Sequence, residues 1–594
     1  MDRTGITVVI ICAILLGLCF YEQQKYYAHL PPPPTGTNAL AAAQTATANA
    51  GAVLPAPATA PAYSFDTNIP ERTLVLTNQL ARYTFTSRGG GLKLVELLDY
   101  PETISARWTT RKGNPTNAVA TLNTRAPVPV LAVLGDAGLI GDGVFTLMKT
   151  DDGIRAEKSF TNGLRLVKEF HLGSNYLVNA SVRFENASDK PLALPAQELV
   201  VGTATPMGPD DSTYSMYEGV MWFDGASSRD TPSSWFSGAS FGCFRGTPRS
   251  EYIAGSNNVV WAAAHNQFFA LIAMTTNSPA EQIVARPVTL PLFPNVEPIP
   301  GAPPPQGVQT ALVYPAQTLT TNQSIERQIV FFAGPKEYRT LATIGAQFQN
   351  HADNVMGFNG FFGFCAKPLL LAMNWLHDVT KLGYGSVIVL ITILLRGIFW
   401  PLMAKSTRSM KRMQALAPEV QALKEKYKDD PQKFTQKQME LWRKHKVSPV
   451  SGCLPMLIQT PVFIGFFTML RSAIELRGAS FLWVKDLSKP DTLFMIPGIN
   501  FPFNLLPLLM GGAMLWQSHL TPPSPGMDPT QAKIMRYLPL IFLVFLYNYS
   551  AGLALYWTVN NLLTILQTKL TKNLRDPVAP AANPALTPPS KKKK

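Results

Sequence analysis

Residues Tyr384 to Met403 read YGSVIVLITILLRGIFWPLM, twenty nearly unbroken apolar positions with one charge, Arg396, inside them. At ~1.5 Å rise per residue such a helix spans about 30 Å, the thickness of a bilayer's hydrocarbon core. An arginine within it costs roughly 2.5–3.5 kcal/mol on insertion scales, so it must face protein, water or a partner rather than lipid. It also lies only seven residues from Met403, near enough to snorkel to the headgroups. This segment alone leaves both readings open.

The rest of the 594-residue chain is long enough for more than one domain. Its net charge of +14 is unevenly spread: Pro61 to Asn350 holds 22 Lys/Arg against 24 Asp/Glu. The excess therefore lies in the C-terminal third, among alternating apolar runs and loops, and is a signal of membrane orientation before nucleic acid. Five cysteines, Cys12, Cys19, Cys243, Cys365 and Cys453, form no CxxC pair. Neither a disulfide framework nor a zinc site is expected, and no other metal or cofactor motif is present.

Ile6 to Phe20 is an apolar run behind Arg3 with no small-x-small site close after it, so an uncleaved anchor over 1–20 is expected, its N-terminus cytoplasmic. Residues 21–62, with PPPP and many Ala and Thr, form a tether. From 63 to 340 the signals are for strands: in YLVNASVRFE, Tyr176, Val178, Ala180, Val182 and Phe184 alternate with polar neighbours. A large all-β sandwich is expected, a binding or spacing module without catalytic spacing. Residues 354–380 mix aromatics with Lys367, His377 and Asp378 and read as an interfacial amphipathic helix, Pro368 fitting its start.

After the 384–403 span, residues 404–448 are basic. Lys405 to Lys446 holds twelve Lys/Arg against five acidic residues, with apolar residues from Met410 to Tyr427 at helical spacing. Asp429-Asp430-Pro431 breaks the pattern, giving a cytoplasmic helical hairpin. Spans three to six are expected within 452–570, at Cys453–Leu470, Ile499–Leu515, Tyr537–Tyr549 and Gly552–Leu566, with a basic tail at 571–594. Six spans from an inside N-terminus put every loop on the side its charge predicts.

Polar groups recur in these spans. Thr392 lies one turn before Arg396; Gln459 and Thr460 interrupt the third span; Asn548 ends the fifth; Tyr556, Thr558, Asn560 and Asn561 occupy the sixth. Each alone serves as interhelical glue. Together, with no Asp or Glu in these segments to neutralise Arg396, they suggest a hydrated cavity open to a transient anionic partner. Pro455, Pro461, Phe463, Phe466 and Phe467 on the third span, and Pro539, Phe542 and Phe545 on the fifth, form apolar faces that suit packing or lipid contact equally well.

The stretches RGIFWPLMAKSTRSMKRMQALAPEVQALKEKY, KVSPVSGCLPMLIQTPVFIGFFTMLRSAIELRGASFLWVKDLS and MRYLPLIFLVFLYNYSAGLALYWTVNNLLTILQ closely resemble the YidC/Oxa/Alb family of membrane protein insertases. The resemblance covers the whole layout. It implies a five-helix core behind the anchor, a groove open to cytoplasm and lipid, and a periplasmic β-supersandwich similar to mutarotase folds. It implies that Arg396 is the groove arginine, with Thr392, Gln459, Tyr556 and Trp557 around it. Pro455, Phe463, Pro539, Phe542 and Phe545 would form a greasy slide for substrates. The usual Tyr-Tyr pair of the last span reads Tyr556-Trp557 here, so the second position keeps an aromatic surface but not a hydroxyl.

The expectation is thus a polytopic α-helical protein of the bacterial inner membrane, termini cytoplasmic and large domain periplasmic. It would be no enzyme and need no cofactor. It would insert nascent membrane proteins, alone or with the Sec translocon (SecYEG, SecDF), and meet the translating ribosome through its basic hairpin and tail. A secondary transporter or channel is the alternative, weakened by the lack of internal repeats and intramembrane carboxylates. An anchored carbohydrate-active enzyme explains neither the hairpin nor the extra spans.

Overall fold

A computed structural model describes residues 68–102, 118–206, 217–237, 247–293, 304–358, 360, 363–445, 447, 454–496, 501–520, 534, 537–538 and 542–572. The expected anchor (1–20), tether (21–62) and the tail from 573 lie outside the described residues, as does Pro539. The chain divides into two compact units, with the main change between Gly363 and Phe364 and the short segment Arg471–Glu475 grouping with the first.

The first unit is all-β. Its largest sheet runs, in spatial order, Ser228–Pro232, Gly219–Phe223, Trp261–His265, Phe269–Thr275, Ser324–Pro335, Leu177–Asn186, Leu164–Leu172, Gly153–Ser159 and Thr146–Lys149, every pair antiparallel. The alternation read from 176–185 falls on Leu177–Asn186, where Val178, Ala180, Val182 and Phe184 are buried. A second sheet orders Tyr252–Ala254, Gln282–Thr289, Gln306–Tyr314, Gln197–Ala204 and Val133–Leu134. A bulge at Val200/Gly202 brings the two sheets together: a Cβ on Gly202 would lie 2.5 Å from Leu271 Cδ1. Only glycine permits that approach, and φ of +148° there suits it. A four-stranded sheet, Thr73–Thr77 to Val119–Leu122, joins through Phe85, whose ring lies 4.9 Å from Phe170. Helix α1 (Tyr338–Gln347) closes the unit.

Lys168 is fully buried in this sandwich, its ammonium donating to the Gly89 and Leu131 carbonyls at 2.7 Å each. Burial pushes its pKa down to about 7. The unfolded chain, with a lysine near ~10.4, binds more protons between those values, so stability rises with pH across that window and the penalty is largest below it. The urea midpoint of the sandwich is expected to climb from pH 7 to 9.5. Lys168→Met, which cannot titrate, should reduce that slope to the part contributed by buried Lys336, whose pKa burial pushes down to about 8, while lowering the midpoint through two orphaned carbonyls.

The second unit is helical: α2 (Gly363–Thr380), α3 (Tyr384–Ala415), α4 (Ala417–Lys426), α5 (Pro431–Lys444), α6 (Leu454–Ser472), α7 (Leu505–Leu520) and α8 (Ala551–Lys572). Helix α2 begins five residues before Pro368 rather than at it. It leaves Phe364, Leu371, Trp375 and Val379 exposed on one face and buries Ala366, Leu370 and Met373 on another. Gly465 of α6 lies against it, where an added Cβ would stand 2.6 Å from Cys365 Cβ.

The span expected to end at Met403 continues as helix to Ala415, through Pro401. The seam from Met410 to Tyr427 is not one helix: it breaks at Leu416, because Pro418 opens α4 and has no N–H to return to the preceding turn. The second break falls where the sequence places it, with Pro431 opening α5 and Asp430 accepting from Lys433 N at 3.0 Å. Met413, Leu416 and Val447 form the apolar cluster of this hairpin, with Trp442 packed against it.

The segment expected to be helical from Ile499 is a short β-ribbon first, Thr492–Ile496 paired with Phe501–Asn504, and helical only from Leu505. Asp491 caps that helix, accepting from Leu506 N at 2.6 Å and from Trp483 Nε1 at 3.2 Å. Among the described residues, α3 is the one helix long and apolar enough to cross a membrane by length and composition alone, against six spans expected. Helix α7 has sixteen residues, and α8 carries Asn560, Asn561, Gln567 and Lys569 among its apolar positions.

Candidate functional site

The N-terminus of α8 is held by the loop before the ribbon: Ala551 N donates to Lys489 O and Gly552 N to Leu487 O, both at 2.8 Å. The same loop covers the start of α3, where a Cβ on Gly385 would meet Phe481 at 2.4 Å. Helices α3 and α8 therefore start together, and pack so that Arg396 reaches the middle of α8.

Three bonds fix the guanidinium there. Arg396 Nε donates to Asn560 Oδ1 at 2.8 Å, and Nη2 donates to Thr564 Oγ1 at 2.6 Å and to the Asn560 carbonyl at 3.2 Å. The Thr564 hydroxyl in turn donates to that same carbonyl at 2.8 Å. Gln459 of α6 joins from the far side, its Nε2 donating to Tyr556 OH at 3.0 Å and to Asn560 Oδ1 at 3.4 Å. Among the described residues no carboxylate pairs with Arg396. The cation is thus held by neutral oxygens, which solvate it without cancelling its charge.

Sequence reasoning places Arg396, Gln459 and Tyr556 in one cluster, and they do meet. Asn560, one of several polar residues that suit interhelical glue, is the hub, and Thr564, which has no role in the expected site, joins it. The signal for both is the column Tyr556, Asn560, Thr564 on α8, polar groups one turn apart and so on one face. Thr392 is buried one turn above Arg396, but its hydroxyl donates to its own helix, to Ile388 O at 2.6 Å.

An aromatic face adjoins the cluster. Tyr556, almost wholly buried, stacks on Phe466 with centroids 4.1 Å apart. Trp557, the next residue, points to the neighbouring face and sits between Phe463 (4.4 Å) and Phe542 (5.7 Å). Two of the five expected slide residues therefore converge on the Trp557 indole. Phe545 stays apart and is 70% exposed. Pro455 lies in the first turn of α6.

A β-sandwich followed by a helical core, in which an arginine held by neutral oxygens adjoins an aromatic face and one helix is long and apolar enough to cross a membrane, describes a protein of two parts. Both parts match known families: the model for the YidC periplasmic domain matches residues 73–372, and that for the 60Kd inner membrane protein matches 375–577. The membrane protein insertase YidC of Bordetella petrii is 31% identical over 530 residues, covering 86% of this chain and 84% of that one. YidC of Pelobacter propionicus is 43% identical over 262 residues, 44% of this chain and 47% of that one, so this alignment spans about half the length of the relative. A crystal structure of active YidC insertase with its first transmembrane domain resolved aligns over 85% of this chain and 93% of its own, at 19% identity and a TM-score of 0.33. The chain belongs to the YidC family of membrane protein insertases, proteins of the bacterial inner membrane.

Proposed function

We propose that this chain inserts nascent membrane proteins into the inner membrane without nucleotide hydrolysis, and that its helical core supplies a polar way station for the part of the substrate that must cross. A short polar tail entering hydrocarbon leaves its backbone and side-chain polar groups unsatisfied, several kcal/mol each. The cluster of Arg396, Gln459, Tyr556, Asn560 and Thr564 offers partners at membrane depth, with Thr392 one turn before Arg396 on α3. The observation that carries this reading is the guanidinium held by neutral oxygens alone, with its charge left to attract an acidic tail. No group here needs to be a catalyst, and the reading assigns no catalytic residue or cofactor.

The substrate's apolar segment then leaves along the aromatic face formed by Phe463, Trp557 and Phe542, with exposed Phe545 as a further contact. Burial of the segment's own side chains in lipid drives the step. Six spans, with both termini cytoplasmic, the sandwich periplasmic, α2 interfacial and α4–α5 cytoplasmic, make this geometry productive. The cationic hairpin and tail suit a translating ribosome. The Sec translocon is the second partner in this reading, handing over spans from larger substrates.

Site-specific crosslinking tests the path. A photoreactive group at Phe463 or at Phe542 should capture a ribosome-bound nascent chain as its apolar segment emerges and lose it as the chain lengthens. Absence of crosslinks at both positions while a control substrate inserts normally would remove the slide.

A further inference from the structure

Between Asp491 and His519 lie twenty-seven residues without a Lys, Arg, Asp or Glu. A run of that length reads as one generous span, yet only fourteen of its residues, Leu505 to Ser518, are helix, and α7 ends two residues beyond the run at Leu520. At 1.5 Å per residue α7 is about 24 Å long, some 6 Å short of a ~30 Å hydrocarbon core. The missing length is supplied at its N-terminal end by the ribbon Thr492–Ile496 and Phe501–Asn504, which runs directly into the helix.

The ribbon has no polar face. Successive side chains of a strand point to opposite sides, and Leu493, Phe494 and Met495, three in a row, are each 43–51% exposed, as is Phe501 on the partner strand. Phe494 stacks on Phe503 at 4.8 Å and Phe501 on Tyr547 at 5.1 Å. Beside them the turn of Leu482 and Trp483 presents the most exposed leucine of the described residues, at 76%, and Trp483 is tied to the helix start through Asp491. The ribbon is also braced from α8's side, because Tyr547 OH donates to Pro502 O at 2.7 Å and accepts from Asn504 N at 3.1 Å. It is a fixed, two-faced apolar blade.

We infer that this blade lies in the outer leaflet, at the boundary between phospholipid headgroups and acyl chains, as an interfacial anchor continuous with α7. A surface apolar on both sides is unstable in water, which argues against a free periplasmic loop. The hydrocarbon centre is excluded too, because the outward N–H and C=O groups of a two-stranded ribbon have no third strand among the described residues to pair with. Headgroups and their water satisfy those groups, while Phe494, Phe501, Tyr547 and Trp483 provide the aromatic belt that such a boundary favours. The blade thus takes up the mismatch of a short helix, in place of a thinned bilayer. The inference rests on the reading of α7 as a membrane span.

The test uses the full chain in phosphatidylcholine/phosphatidylglycerol liposomes, with a fluorescent side chain encoded at position 494, at 509 on α7, or at 321 in the sandwich. Quenchers are nitroxides high or low on the acyl chain, and aqueous iodide. The expected result at 494 is quenching at least about twofold stronger by the shallow than by the deep nitroxide, as for a group 5–10 Å below the surface. Position 509 should respond to the deep nitroxide and 321 to iodide only. Dominant iodide quenching at 494, protection there from every quencher (a protein partner covering the blade), or strongest quenching by the deep nitroxide would each overturn the inference. Should 509 also escape lipid quenching, the membrane reading of the helical core fails with it; should only 494 escape, the blade alone is wrong.

Discussion

Asn560→Asp is expected to lower insertion of a substrate with an acidic tail about tenfold while leaving a neutral-tailed substrate within about twofold. The substitution keeps the size and shape of the side chain but puts a carboxylate where the amide oxygen now stands, 2.8 Å from Arg396 Nε. Unit charges 4 Å apart at an effective dielectric of 20 attract by about 4 kcal/mol before desolvation is deducted. A net preference of only ~1.4 kcal/mol for the built-in carboxylate over the substrate's own is a factor of ten. Asn560→Ala separates charge from scaffolding: it removes the amide and leaves the cation, so preference for acidic tails should persist even as the α3–α8 contact loosens. The measurement is initial insertion rate into proteoliposomes with matched amounts of each variant. Equal rates for acidic tails in Asn560→Asp and wild type would show that the guanidinium does not meet the substrate.

Gly465→Val is expected to lower the melting temperature of the helical unit by several degrees and to loosen α2 selectively. The first added atom would stand 2.6 Å from Cys365 Cβ and 3.2 Å from the Cys365 carbonyl carbon, so the backbone of α2 itself must retreat. Overpacking of this kind costs about 1–3 kcal/mol, and each kcal/mol shifts a domain of this size by roughly 2–4 °C. Small residues at helix interfaces allow close approach where no hydrophobic drive operates between helices in lipid. Hydrogen exchange should quicken across Gly363–Thr380 before it does in α8. Unchanged exchange in α2 would mean that α6 and α2 are not held together at this point.

How much of this was legible beforehand depended on whether a residue's signal was local. The strand at Leu177–Asn186 shows its alternation in ten residues, and Arg396 announces itself as a charge in an apolar run. Asp430-Pro431 marks a helix start because cap and proline chemistry is local too. Asn560 is different: an asparagine in an apolar helix has the same appearance whether it glues two helices or holds a functional cation. Only the packing of α3 on α8 decides that. The ribbon at Thr492–Asn504 escaped for a related reason, since an uncharged apolar run satisfies a helix and a two-faced strand equally. The break at Leu416 lay hidden because apolar spacing continued across Pro418 without a change of period.

The family resemblance implies roles for Arg396 and Thr392 but not their hydrogen-bond partners. Thr392 shows the difference: its position beside Arg396 follows from helix geometry, whereas its hydroxyl is engaged with Ile388. Trp557 shows the converse, because only the packing places its indole between Phe463 and Phe542.

Whether Arg396 draws acidic tails into the core is decided by Arg396→Ala assayed against a series of substrates identical except for tail charge. Insertion rates would be compared in proteoliposomes at equal protein. The expected result is a loss of about tenfold for tails carrying two acidic residues, a small loss for neutral tails and none for basic ones. Normal insertion of every tail by Arg396→Ala would contradict it.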